Sequence, residues 1–556
     1  MIPGRRFLRL LKQRAVARRA RSLQRTVRTM STISRRTALV GGLGALGMLS
    51  LPGLRARANS LENPVVTTTS GPVRGYLHDG IAVFKGIRYG ADTAPRRFMP
   101  PLVPEPWNDP AEAFEYAAAA PQDRTDARIS EDCLFLNVWT PGLEKGALRP
   151  VMFYIHGGAY SHGSGASPLY DGVALCQRGD VVVVTVNHRL NAFGYLYLQR
   201  LGDDSLADSG NVGQLDLALA LRWVRDNIVK FGGDYDRVMV FGQSGGGAKI
   251  ATMMAMPAAK GLFHRAASMS GQQVTASGPA NATKRTHAYL QAVGVSPVDV
   301  GPLRRMPMER LLDGLAAKDP VYDYGSVYFG PVLDMRSLKR HPFYPDAAPQ
   351  SAHIPMIIGN TRGETRAFLR DPHFYELEWS ELPELLIPNM RVDIRPEHVV
   401  AEYRKLYPDF SPSEVFFAAT TAARSWRAAI IEAEERAEQE GASTYVYQLD
   451  WESPVRPELG APHGFDIPLV FGNLDTENSL TGTGEEARAV SASMSDAFIA
   501  FAKTGVPDHP GLPTWIPFTL PDRESMVFDH RPRIENDPRG AERRLFATVP
   551  YVQPGT

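Results

Sequence analysis

Four short runs of β-branched and large apolar residues stand out along the chain: 151–155 (VMFYI), 181–186 (VVVVTV), 238–241 (VMVF) and 356–358 (MII). None alternates with polar residues, so each reads as a strand buried on both faces, the pattern of a parallel sheet covered by helices. Between them, 214–230 repeats apolar Leu217, Leu221, Val224 and Ile228 at spacings of three and four, which predicts an amphipathic helix. Strand and helix in alternation predict an α/β layered fold with a central, mostly parallel sheet. In 281–341 and again in 376–439 the strand signals fade and the pattern turns helical, predicting helical insertions that cap one end of the sheet. No Pro/Gly/Ser linker separates these insertions, so residues 59–556 read as one large domain.

Charge divides the chain unevenly. Of the 61 Lys and Arg, 14 fall in residues 1–58, where Asp and Glu are absent; the remainder holds 47 basic against 60 acidic residues, a formal charge of −13. So acidic a body argues against nucleic acid as a partner, since phosphate attraction needs a basic face. The basic start has its own logic. Arg35 and Arg36 directly precede a short, glycine-rich apolar run (38–51) that ends near Ala56-Arg57-Ala58, a small-x-small pattern suited to signal peptidase. This resembles a twin-arginine export signal over 1–58, with Met30 offering a second start; a single uncleaved membrane anchor is the alternative. Past it no apolar run reaches membrane-spanning length, so the mature chain is expected to be exported, periplasmic or extracellular, and free of the membrane.

Chemistry enters at Gly242-Gln243-Ser244-Gly245-Gly246, which follows the run 238–241 and precedes a helix-compatible stretch, 247–254. Strand, G-x-S-x-G, helix is the setting in which this motif marks a nucleophilic serine on a strained turn. Side chains two residues before and after would collide, hence glycine at both. The helix that follows points free N–H groups toward developing negative charge. A second small-residue loop, His156-Gly157-Gly158-Ala159-Tyr160, follows the run 151–155. The amides of Gly158, Ala159 and Gly245 are the predicted donors of an oxyanion hole, where a single donor lowers the barrier by about 2.7–4 kcal/mol.

These motifs, with Glu131-Asp132-Cys133-Leu134-Phe135-Leu136-Asn137-Val138 and Phe231-Gly232-Gly233-Asp234, resemble the type-B carboxylesterases, the group of bacterial para-nitrobenzyl esterases and animal cholinesterases. The resemblance spans about 60–550 and implies an α/β-hydrolase fold and a serine ester hydrolase acting through an acyl-enzyme. It places the acid at Glu364, within Gly359-Asn360-Thr361-Arg362-Gly363-Glu364, and the base at His463, within Gly460-Ala461-Pro462-His463-Gly464. The order Ser, acid, His is that of α/β-hydrolases. It also makes Ser270 a supporting neighbour of the acid–base pair.

Departures from the family pattern carry information too. Gln243 stands before the nucleophile where many relatives have Glu, which removes a negative charge and argues against cholinesterase-like cation selectivity. The usual disulfide partner of Cys133 falls near Ala120, so that bridge is missing; Cys133 and Cys176 read as buried thiols, with a bridge between them as the alternative. Triad and backbone donors need no metal or organic cofactor. Small to medium neutral esters are the expected small-molecule substrates. Amide, thioester, lactone and polymer ester bonds suit the same machinery, and a non-catalytic binding or adhesion protein is the rival from another class.

Overall fold

Residue order in the central strands dictates a two-sided core. The computed structural model describes residues 63–555 except 124, 126, 145, 323 and 324; the export signal expected in 1–58 lies outside them. Eleven strands form one sheet: β1 (Tyr76–His78), β2 (Ile81–Arg88), β3 (Phe135–Thr140), β4 (Arg149–Ile155), β5 (Val182–Val186), β6 (Gly233–Gln243), β7 (Arg265–Met269), β8 (Met356–Thr361), β9 (Thr444–Leu449), β10 (Glu524–Phe528) and β11 (Arg533–Asn536). Along β4, Val151, Phe153 and Ile155 enter one apolar cluster with Leu217, Leu221 and Ile250, while Met152 and Tyr154 enter another with Met494 and Phe498. Strand side chains alternate faces, so a run without polar residues must be covered on both. The covering helices are α1 (Val212–Asn227), α2 (Gly245–Met253) and α6 (Arg427–Glu438) on one face, and α7 (Asp466–Phe471) and α8 (Glu485–Thr504) on the other.

Spatial order across the sheet is β11-β10-β9-β8-β7-β6-β4-β5-β3-β2-β1. From β5 through β10 neighbours are parallel; pairs at both edges are antiparallel. The chain leaves β4 to one side for β5, then returns to place β6 on the other side of β4. Such a switch opens a crevice at the carboxyl ends of the strands, where open α/β sheets hold their ligands. All three predicted triad members follow carboxyl ends: Ser244 follows β6, Glu364 follows β8 and His463 follows β9.

The expectation of helical insertions holds in part. Residues 281–341 begin in α3 (Pro279–Val293) and include a short helix, Met308–Asp313, but run irregularly from there to β8 apart from single 3-10 turns. Pro320, Pro331, Pro342 and Pro345 remove donors and fix φ through that stretch. Residues 376–439 are helical, with α4 (Pro396–Leu406) and α5 (Pro412–Thr421) among them. Yet α6 packs Ala428, Ala429, Ile430 and Ala433 into the sheet core rather than capping it. The remaining helices build their own apolar cluster around Leu382, Leu386, Val399, Tyr403 and Phe416. No helix among the described residues is long and apolar enough to cross a membrane.

Candidate active site

Ser244 sits between β6 and α2 with φ 58° and ψ −125°, in left-handed space that a residue with a Cβ occupies only under strain. Its amide donates to the Met269 carbonyl at 2.8 Å, which pins the turn to β7. The need for glycine on both sides has a sharper cause than mutual collision. A Cβ at Gly246 would overlap the carbonyl oxygen of Ile155 at the end of β4, and one at Gly242 would stand 2.7 Å from the same oxygen. The turn therefore closes only against a bare backbone.

The loop after β4 brings the other predicted donors alongside. Gly158 has φ 84° and Ala159 φ 52°, so Ala159 takes the left-handed conformation despite its methyl group. Among the described residues no protein group accepts a hydrogen bond from the amides of Gly158, Ala159 or Gly245. Beneath them lies Lys249 of α2, fully buried, whose Nζ donates to the Ala159 carbonyl at 2.6 Å and lies 5.1 Å from the centre of the Tyr160 ring. Burial pushes the Lys249 ammonium down to about 7. Burial and then the Lys249 charge hold His156, the first loop residue, down at about 3, so it is uncharged at neutral pH.

Glu364 and His463 meet although 99 positions apart in the chain: Nδ1 of His463 bonds Oε2 of Glu364. The other carboxylate oxygen accepts from the Thr361 amide at 2.9 Å and the Asn360 Nδ2 at 3.1 Å. Burial raises the Glu364 carboxyl, but His463 and the donors around it outweigh burial and hold it below the usual carboxylate range. Ser270, with φ 53°, adds to that lowering although its Oγ forms no hydrogen bond of good geometry. A second carboxyl, Asp466, is fully buried nearby and accepts from the Tyr447 hydroxyl at 2.6 Å; burial, with the Glu364 charge adding, pushes it up to about 6.

With Nδ1 engaged, the remaining nitrogen of His463, Nε2, is buried and bonded to nothing. His463 and Ser244 line one cavity of about 710 Å³, together with Gly158, Ala159, Gly245, Gln243 and Ser270. Every predicted site residue except the buried Glu364 therefore lines this space. Gln243 is buried in its wall, its Nε2 without a partner and close to the backbone of Gly464. Several lining residues escaped sequence reasoning: Phe368, whose ring centre lies 4.7 Å from that of His463, and the arginines Arg370, Arg391 and Arg424. Arg424 had one legible signal, as a single charge among small and apolar neighbours in Ala422-Ala423-Arg424-Ser425-Trp426. Lys249, in the helix that follows Ser244, was legible in the same way.

Cys133 and Cys176 are both free and buried. No cluster of three or more metal-ligating side chains exists among the described residues.

A sequence profile of the carboxylesterase family matches residues 62–546. The para-nitrobenzyl esterase of Bacillus subtilis (strain 168) is 36% identical over 506 residues, covering 87% of this chain and 99% of its own. The crystal structure of the Geobacillus stearothermophilus carboxylesterase EST55 superposes with a TM-score of 0.78 at 36% identity, covering 87% of this chain and 99% of its own. An esterase from the anaerobe Clostridium hathewayi that can hydrolyse aliphatic aromatic polyesters superposes with a TM-score of 0.74 at 34% identity, covering 88% and 98%.

Proposed function

Because the chain belongs to the carboxylesterase family and is a carboxylic ester hydrolase, we propose that Ser244, His463 and Glu364 are the groups that perform the hydrolysis. The observation that carries this reading is the state of His463: one nitrogen is fixed by a buried carboxylate, the other is left unbonded, and the residue lines the same cavity as Ser244. Serine is a poor nucleophile unless a neighbouring imidazole takes its proton, and that imidazole works only when held in one tautomer.

Ser244 Oγ attacks the ester carbonyl while His463 Nε2 takes the hydroxyl proton. The carbonyl oxygen becomes an oxyanion facing the amides of Gly158, Ala159 and Gly245. Collapse of the tetrahedral intermediate breaks the bond to the alcohol, which leaves with the proton from His463, and Ser244 holds the acyl group. Water then attacks the acyl-enzyme, giving its proton to His463, and the carboxylic acid departs as Ser244 recovers its own.

Small-molecule esters are the substrates this reading supports first. Polymer esters are a second class, favoured by the likeness to the polyester-hydrolysing Clostridium hathewayi enzyme. Para-nitrophenyl acetate, butyrate and octanoate test the reading, assayed with the chain from Asn59 and its Ser244→Ala variant. Turnover of at least one ester that disappears in the variant supports it; a folded parent inactive on all three overturns the substrate assignment.

Export is part of the same proposal. Support comes from Arg35 and Arg36 ahead of the apolar run and from Ala56-Arg57-Ala58 after it. Replacing both arginines by lysine should retain the enzyme inside the producing cell, with activity assayed in separated fractions; unchanged export of the double variant counts against a twin-arginine signal.

A further inference from the structure

Residues 59–556 are acidic, with a formal charge of −13, yet the cavity that holds Ser244 is cationic. Three arginines, Arg370, Arg391 and Arg424, line it, and among the described lining residues there is no Asp or Glu. The guanidinium of Arg424 lies 4.5 Å from the centre of the Phe368 ring, and that ring in turn packs on His463. One aromatic ring thus separates a positive charge from the imidazole that does the chemistry.

The backbone around Arg424 is itself unusual. Between α5 and α6 the helix widens into a π-helical segment, Ala422–Trp426, and both Arg424 and Ser425 of that segment line the cavity. One added residue in a helical turn re-aims the side chains it carries, and such bulges concentrate at functional positions. Here the bulge turns a charged residue toward the site from a segment whose other members, Ala422, Ala423 and Trp426, are buried in the protein. Burial, and then the Arg391 charge, lower the Arg424 guanidinium to about 10, and among the described residues no carboxylate accepts a hydrogen bond from it. Glu364, a carboxylate whose charge raises it, is already committed to His463. The guanidinium still stays protonated at neutral pH.

We propose that Arg424 receives a carboxylate carried by the substrate, so that the enzyme prefers anionic esters over neutral ones. This rests on the esterase reading above and narrows it: the neutral substrates expected from Gln243 give way to half-esters of dicarboxylic acids, or esters with an acidic alcohol part. A planar guanidinium pairs with a carboxylate through two parallel N–H···O bonds, giving orientation as well as attraction. Phe368, 43% exposed, supplies an apolar wall beside the same arginine for the carbon chain of such a substrate.

Two pairs of matched esters test this. Monomethyl adipate against dimethyl adipate places the charge on the acyl side; 4-acetoxybenzoate against its methyl ester places it on the leaving-group side. In at least one pair, kcat/KM should favour the anion by about tenfold or more, and the preference should shrink as ionic strength rises from about 0.02 to 0.5 M. Arg424→Met should lower the anion-to-neutral ratio by about tenfold, and Arg424→Lys should restore part of it, since an ammonium keeps the charge without the fork. Salt dependence of the unaltered enzyme keeps the test decisive if the Met variant does not fold. Equal or better turnover of both neutral esters, or a ratio that survives in Arg424→Met, overturns the anion preference and leaves the esterase reading standing. If the folded enzyme hydrolyses neither member of either pair and Ser244 resists a fluorophosphonate probe, both readings fall together.

Discussion

His463 Nδ1 donates to Glu364 Oε2, and Glu364 in turn is fully buried and held by the Thr361 amide and the Asn360 side chain. That bond orients the ring and leaves Nε2 as its one unbonded nitrogen, in a residue that lines the cavity with Ser244. Replacing Glu364 by Gln keeps the volume but offers Nδ1 an amide. The ring is then free to settle in the wrong tautomer, so kcat for para-nitrophenyl butyrate should fall by on the order of 10⁴-fold with KM little changed. A loss confined to KM would show that Glu364 serves binding rather than the imidazole.

Gly246 touches the end of β4 so closely that Gly246→Ala cannot be absorbed by a side-chain rotation. The added Cβ would overlap the Ile155 carbonyl, and β4 is held by β5 and β6 on either side. Thermal melts should show a loss above about 4 kcal/mol, or no folded protein. Gly261→Ala is the control: φ is 73° there but nothing lies within 4 Å of the new Cβ, so about 1–2 kcal/mol is expected.

Lys249 makes the stability depend on pH above neutrality. Its pKa is about 7 in the fold against 10.5 for a free lysine. Between these values the unfolded chain binds more protons, so stability rises with pH across the window. Denaturant titrations at several pH values should show the wild type gaining on Lys249→Met by up to about 1 kcal/mol per pH unit from 7 to 10. A parallel pair of curves would mean that Lys249 keeps its ordinary basicity.

Both cysteines are free, and burial pushes each thiol well above the range in which thiolate forms at neutral pH. Ellman's reagent should therefore find no reactive thiol in the native protein and two after denaturation, and a reductant should leave Tm unchanged. Fewer than two thiols after denaturation without reductant would reveal a bridge.

How much of this was legible varied with how local the cause was. β4, β5, β6 and β8 announced themselves because burial on both faces leaves no charged residue in the runs 151–155, 181–186, 238–241 and 356–358. β9, read as TYVYQL, mixes polar and aromatic residues and was missed, since its Tyr447 finds its partner, Asp466, only in the folded interior. The serine turn was readable because sterics write glycine directly into the sequence. Glu364 and His463 came through family resemblance alone, as nothing local couples residues 99 positions apart. Arg424 was hidden because its direction depends on a π-helical turn, which α-helical periodicity does not anticipate.

The most direct test of the account is covalent labelling. Incubate the chain from Asn59 with a fluorophosphonate, then map the adduct by peptide mass spectrometry. One phosphonyl group per chain, on the peptide carrying Ser244 and absent from Ser244→Ala, is the predicted result, with labelling much slowed in His463→Ala. Labelling at another serine, or equal labelling of Ser244→Ala, would contradict the assignment of the nucleophile.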